Sequence, residues 1–166
     1  HHFDTVTVSA EPIIAGHRKL LEQVFTARVY NRYGSREFGT VGFECEHHSG
    51  LHLCMEDFVV EVVDENGRQL PPGEEGRLLI TCFANRAMPF IRYEIGDRAA
   101  LLPDVCPCGR GSGLLGPISG RTTDFLRFPS GKVVAYLYFN YFFEQYGDRL
   151  KEFQVTLNRI EQKLKR

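Results

Sequence analysis

The sequence predicts a mixed α/β fold in three parts: a βαβ piece of a parallel sheet, an antiparallel β-barrel-like subdomain, and the start of a small α+β C-terminal domain. Three observations carry this. Apolar residues between Ile14 and Phe25 recur at helical spacing between two short β-like runs. From residue 40 onward the texture changes to short β-rich pieces separated by turn signals. Residues 116–131 carry five glycines or prolines and lead into an aromatic-rich helical pattern. At 166 residues the chain suffices for one ordinary domain, or one and part of a second.

Val6-Thr7-Val8 alternates like a short strand. Ile14, Leu20, Leu21, Val24 and Phe25 then fall on one helical face, with Arg18, Lys19, Glu22 and Gln23 between them. Arg28-Val29-Tyr30 reads as a second strand, so residues 5–31 form a βαβ unit. Such a unit belongs to a parallel sheet, whose ligands gather beyond the carboxyl ends of the strands. The loop expected there runs from Asn31 to Gly39. β-rich pieces follow at Val41–Cys45, Leu51–Cys54, Phe58–Asp64, Arg77–Phe83, Phe90–Tyr93 and Arg98–Leu102. Glu65-Asn66-Gly67-Arg68 supplies a hairpin signal and Pro71-Pro72-Gly73 a break. Residues 116–131 read as a connector with a small hairpin, Ala135–Tyr146 as an aromatic-rich, core-facing helix, and Glu152–Leu157 as a strand. These pieces divide the chain into 1–39, 40–120 and 121–166.

Composition narrows the function classes. A hydrophobic content of 43% with net charge −1 excludes disorder. Twenty basic against 21 acidic side chains leave no electrostatic footprint for a general nucleic-acid binder. The six basic and two acidic residues from Arg149 to Arg166 read as a solvated face. No apolar run approaches the length of a membrane span, and no charged-then-apolar leader opens the sequence, so no membrane partner is expected. His1-His2 resembles a tag remnant and enters no metal argument.

Cysteines stand at 45, 54, 82, 106 and 108. An odd count without a secretion signal argues against a disulfide framework and for a reducing, cytoplasmic compartment. Cys82, in the apolar run Leu78–Phe83, packs as a small hydrophobe. Phe43–Cys54 reads as a hairpin about Ser49-Gly50, with Cys45 nearly opposite His52 and with His52 and Cys54 on one face. Cys106-Pro107-Cys108-Gly109 offers two thiols on a tight turn. Three thiolates and one imidazole suit structural tetrahedral Zn²⁺, so the expected ligands are Cys45, His52, Cys106 and Cys108, with Cys54 in reserve. His47 and His48 read as solvated turn residues.

Three stretches together resemble the adenylate-forming superfamily of acyl-CoA synthetases and adenylation domains, most closely its phenylacetate–CoA ligase-like branch. They are Asn31-x-Tyr33-Gly34-x-x-Glu37; Leu70-Pro71-Pro72-Gly73-Glu74-Glu75-Gly76-Arg77 with Met88-Pro89-Phe90-Ile91-Arg92-Tyr93-Glu94-Ile95-Gly96-Asp97; and Ile118-Ser119-Gly120-Arg121-Thr122-Thr123-Asp124. The resemblance implies activation of a carboxylic acid by ATP to an acyl-adenylate, then transfer to coenzyme A, with an aromatic acid most in keeping with the branch. It also implies that this chain is a fragment, inactive when isolated and prone to self-association or dimerisation. The family's phosphate loop would lie upstream and its catalytic lysine downstream. Some members of the branch carry a similar zinc site.

Carried over by position, the resemblance puts Tyr33 on the adenine face, with Gly34 and Ser35 beside it, and Asn31 on the adenine edge. Glu37 would hold Mg²⁺, Asp97 the ribose hydroxyls, and Arg121 the ribose from the hinge side. Arg36 stands where the family usually has Thr or Ser on phosphate, and Ser9-Ala10-Glu11-Pro12 matches the segment passing under adenine. Thr123 or Asp124 would be the hinge. Two other readings of the sequence are a relative that passes its acyl group to an amine, hydroxyl or carrier-protein thiol, and a non-catalytic zinc-stabilised β module.

Overall fold

The computed structural model describes residues 3–11, 13, 15–121, 125–127 and 133–135. β1 (Thr5–Val8) and β2 (Arg28–Ser35) are joined by the helix α1 (Ala15–Phe25) and run parallel, Thr5 opposite Arg28 through to Val8 opposite Asn31. This is the expected βαβ unit. Both strands therefore end on the same side, where ligands of parallel sheets collect.

β2 extends five residues beyond the expected strand. Its continuation pairs antiparallel with β3 (Gly39–Phe43), Arg32 opposite Phe43 and Ser35 opposite Gly39, with a bulge between Tyr33 and Gly34. Asn31 to Ser35 is thus strand rather than loop, and only Arg36–Phe38 turns. Gly34 is dictated by a close approach: a Cβ there would sit 1.9 Å from the Gly39 carbonyl oxygen. β4 (Leu51–Leu53) pairs with β3, Phe43 falling opposite His52. The expected register, with Cys45 opposite His52, is off by two residues, because β3 ends at Phe43 and a longer loop than Ser49-Gly50 makes the connection.

The second sheet contains β5 (Phe58–Val63), β6 (Glu75–Cys82) and β7 (Tyr93–Ala100), each antiparallel to the next. After β5, Asp64 Oδ1 accepts the main-chain N–H groups of Asn66 (2.8 Å) and Arg68 (2.9 Å), which turns the chain at the expected signal. In place of the expected strands at 90–93 and 98–102 there is one strand, β7, which takes in only Tyr93 of the first and stops at Ala100; Phe90–Arg92 are not strand. Its ladder with β6 runs from Tyr93 opposite Ile80 to Ala100 opposite Glu75, and a bulge between Arg77 and Leu79 absorbs the irregular spacing. β8 (Leu114–Leu115) then returns to β4, giving the first sheet the order β1-β2-β3-β4-β8.

These sheets are open, and the barrel-like expectation is corrected. Closure needs a continuous ladder around the circumference, and β4 and β8 contribute only three and two residues. The core lies between the sheets instead. Tyr33, Phe38, Val41, Leu51 and Leu53 meet Phe58, Val62, Leu78, Ile80 and Ala99. Each Val, Leu, Ile or Phe among them, fully buried, contributes about 1.5–3 kcal/mol.

The chain divides into two compact units, His1–Ile118 and Ser119–Arg166. In the second, β9 (Gly120–Arg121) precedes a hairpin of β10 (Phe125–Arg127) and β11 (Val133–Ala135), Phe125 opposite Ala135. Ala135 therefore closes a strand instead of opening the aromatic helix. The rest of that helix, the strand expected at 152–157 and the hinge candidates Thr123 and Asp124 lie outside the described residues. Among the described residues no helix is long and apolar enough to cross a membrane.

Candidate nucleotide site and metal cluster

Two of the sequence motifs meet through one hydrogen bond. Tyr33 lies on β2 and Asp97 on β7, and the Tyr33 hydroxyl donates to Asp97 Oδ2 at 2.8 Å. Both residues are buried, at 9% and 8% exposure, so a carboxylate held here needs such donors. A second tyrosine–carboxylate contact runs the other way. Tyr93, at the start of β7, donates to Glu37 Oε1 at 3.3 Å, in the turn after β2. The Tyr93 ring is fixed edge-on by Phe38 and Phe90, with centroids 5.6 and 5.0 Å away. Sequence reasoning did not single out Tyr93, since only the register of β7 brings it beside the turn.

The other nucleotide candidates take distinct places. Both main-chain polar groups of Asn31 bond to Glu44: its N–H donates to Oε2 at 2.8 Å and its carbonyl accepts the Glu44 N–H at 2.9 Å. Ser35 is half-buried, with its hydroxyl oxygen enclosed and unpaired among the described residues. Arg36 and Glu37 are exposed on the turn. The segment after β1 lies beside β2, where Arg32 Nη2 donates to Ser9 Oγ at 3.4 Å. Ala10, with φ 79°, adopts a left-handed conformation unusual for a residue with a side chain. Pro12 lies outside the described residues. Arg121 is exposed on β9, in the second unit.

The four expected zinc ligands converge. One ligand atom each from Cys45, His52, Cys106 and Cys108 lies within 4.8 Å of every other. Cys45 Sγ is 3.5 Å from Cys106 Sγ, and Cys108 Sγ is 3.4 Å from His52 Nε2. Tetrahedral Zn²⁺ with bonds near 2.3 Å sets its ligand atoms roughly 3.8 Å apart, so this donor set fits the ion in number, chemistry and spacing. His52 sits on β4 with 1% exposure, Cys45 on the loop after β3, and the two remaining thiols on a turn closed by Gly109 at φ +80°. The Cys108 main-chain N–H, with further bonds from Cys108, Cys45 and Ser49 side chains, lowers the Cys106 thiol to about 6. Burial raises the Cys45 thiol. Arg110 hydrogen-bonds Cys108, which raises its own guanidinium.

Cys54, the reserve ligand, is not in the cluster. β4 stops at Leu53, and a turn carries Cys54 against the apolar core, where burial and then Glu56 and Asp57 raise its thiol. His48 likewise departs from the solvated reading in part: its Nδ1 lies 3.2 Å from Glu44 Oε2. Glu44 itself, next to Cys45, is the hub of a brace. Arg18 Nη2 on α1 reaches both Glu44 oxygens at 2.8 Å, while Arg18 Nη1 donates to the Val29 carbonyl. The brace thus ties α1, β2 and the loop after β3 together, from residues that carry no motif.

No protein-family model matches the chain. A phenylacetate–CoA ligase of Thermus thermophilus is 38% identical over 123 residues, covering 72% of this chain and 28% of that protein. The enzyme of the same name from Pseudomonas putida is 33% identical over 122 residues, covering 70% and 27%. The chain belongs to the phenylacetate–CoA ligase-like branch of the adenylate-forming superfamily. Among solved structures, a 2-hydroxyisobutyryl-CoA ligase in an open conformation, holding 2-HIB-AMP and CoA, matches this phenylacetate–CoA ligase-like chain with TM-score 0.73 at 25% identity. That match covers 86% of this chain and 34% of the solved one. A benzoate CoA ligase from Burkholderia xenovorans LB400 shares the fold, with TM-score 0.54 at 21% identity over 75% of this chain and 27% of its own. The chain spans just over a quarter of the length of the curated relatives it matches.

Proposed function

We propose that this chain supplies the adenine and ribose floor of an AMP-forming acid–CoA ligase acting on an aromatic carboxylic acid. The supporting observation is the buried Tyr33–Asp97 bond, which joins two family motifs beyond the end of the parallel pair. Tyr33 offers a ring for the adenine face, and Asp97, oriented by the Tyr33 hydroxyl, accepts the ribose hydroxyls. Asn31 reads the adenine edge, with its main chain immobilised by Glu44. Gly34 and Ser35 line the same strand end, and Arg36 pairs with phosphate oxygens in the place of the usual hydroxyl. Glu37, exposed and acidic, suits Mg²⁺, a hard cation that takes oxygen ligands and neutralises phosphate charge when bound. Attack of the carboxylate on the α-phosphorus, with the bond to the β-phosphate breaking and pyrophosphate leaving, is then a matter of positioning and charge stabilisation.

In the full-length enzyme, Asp97→Ala is expected to reduce kcat/KM for ATP at least tenfold while leaving acid binding nearly unchanged. The basis is that each charge-assisted hydrogen bond contributes about 1.5–3 kcal/mol, and about 1.4 kcal/mol is tenfold in rate. Glu37→Gln should instead raise the Mg²⁺ concentration needed for half-maximal ATP–pyrophosphate exchange. Wild-type exchange kinetics in both variants would overturn the assignment.

The same reading gives the chain one structural Zn²⁺, held by Cys45, His52, Cys106 and Cys108. Metal analysis should return one zinc per chain, and a chelator should lower the unfolding midpoint, because binding free energy at a structural site is folding free energy. Zinc-free protein, or full zinc content in Cys106→Ser, would remove the site.

A further inference from the structure

Only one nitrogen of the His52 ring can face the metal cluster, and the other meets a residue outside every motif. Nε2 lies 3.4 Å from Cys108 Sγ, inside the cluster. Nδ1 lies 2.9 Å from the hydroxyl oxygen of Ser112. His52 is 1% exposed, so solvent does not compete for either nitrogen. We propose that Ser112 is the positioning residue of the metal centre, fixing His52 in the tautomer that presents the Nε2 lone pair to the ion. This rests on the reading of Cys45, His52, Cys106 and Cys108 as zinc ligands.

The chemistry runs in one direction. A neutral imidazole carries one proton, and a metal on Nε2 requires that proton on Nδ1. Ser112 Oγ then accepts the Nδ1–H bond. An outer-shell acceptor of this kind sets ring orientation and makes the ligating nitrogen more basic. The Ser112 loop is itself anchored. The next residue, Gly113, accepts the Leu53 N–H with its carbonyl at 3.0 Å, and its own N–H reaches Met55 Sδ at 3.1 Å. Ser112 also follows Cys106 and Cys108 on one loop, so a single segment delivers two thiolates and the orienter of the imidazole. Its hydroxyl is therefore held where β4 needs it rather than arriving with the metal.

The test compares wild type, Ser112→Ala, Ser112→Thr and Cys106→Ser on the full chain. The readouts are Zn²⁺ affinity by competition with a chromophoric chelator and the visible spectrum of the Co²⁺-substituted protein. Ser112→Ala should weaken Zn²⁺ binding about 10- to 100-fold and shift the Co²⁺ bands. Ser112→Thr, which keeps the hydroxyl, should recover affinity and spectrum. Wild-type affinity and spectrum in Ser112→Ala, with binding abolished in Cys106→Ser, would overturn the role of Ser112 and leave the site standing. A loss of affinity and a spectral shift that Ser112→Thr does not repair would mark Ser112 as ordinary packing and also overturn it. Wild-type zinc binding in Cys106→Ser would instead remove the metal site beneath both readings.

Discussion

At the scale of single residues, the Tyr33 hydroxyl is the atom whose removal should be felt most. Tyr33→Phe keeps the ring among its apolar neighbours but removes the hydroxyl that donates to a buried carboxylate oxygen. Leaving such a group short costs about 1–3 kcal/mol, which a denaturant titration resolves. An unchanged unfolding free energy would mean that the bond is not formed in solution. Cys54→Ala tests the opposite expectation: its thiol packs with the core, so one zinc per chain should remain by metal analysis. Residue type made the four clustered donors legible in the sequence, because soft donors are rare and these fall in two short stretches, one read as a hairpin and one as a tight turn. What separated Cys54 from them was the end of β4 at Leu53, which no composition signal marks. Ser112 and Tyr93 were illegible for a related reason: a serine or tyrosine acquires its role only from what the fold sets opposite it.

At the scale of elements, the helix was easy to place and the strands were not. The apolar spacing from Ile14 to Phe25 is local, and α1 spans Ala15–Phe25. Strand limits depend on the partner's ladder. β2 continues to Ser35 because β3 folds back on it, and β7 runs from Tyr93 to Ala100 because β6 pairs with both of its ends. Gly34 is where that pairing is most exposed to mutation. Gly34→Ala places a methyl 1.9 Å from a main-chain oxygen that cannot swing away, so β2 and β3 must part. A loss of about 1–3 kcal/mol is expected, with faster amide exchange along Val41–Phe43. Arg18→Ala should act on the other side of the same strand. It removes the arginine from Glu44, and α1 should exchange faster while the second sheet keeps its protection.

At the scale of the molecule, the mixed class was legible and closure was not. Alternating short strands look alike in an open sandwich and in a barrel, and only the pairing of terminal strands distinguishes them. The chain spans about 28% of a curated relative. Alone, it is expected to show no acid-dependent ATP–pyrophosphate exchange with any aromatic acid, and clear exchange would refute the fragment reading. Leu20 and Val24 on α1 are 56% and 66% exposed, and Met88 and Ile91 before β7 are 60% and 73% exposed. Apolar surface of this kind drives association, so light scattering should report species above 19.0 kDa.

The metal cluster joins positions 61 residues apart, Cys45 and Cys106, and the whole of β5, β6 and β7 lies between them. Topologically these three strands form a long loop whose neck a bound ion would tie shut. Borrowing the chain-entropy estimate for a cross-link of that span, the tie removes roughly 4 kcal/mol of freedom from the unfolded chain. Its order in time follows as well. Hairpins joining β5 to β6 and β6 to β7 are local and quick to form, whereas the neck must wait for its two ends to meet. Refolding followed by stopped flow should therefore show an early phase indifferent to Zn²⁺ and a late one whose amplitude depends on it.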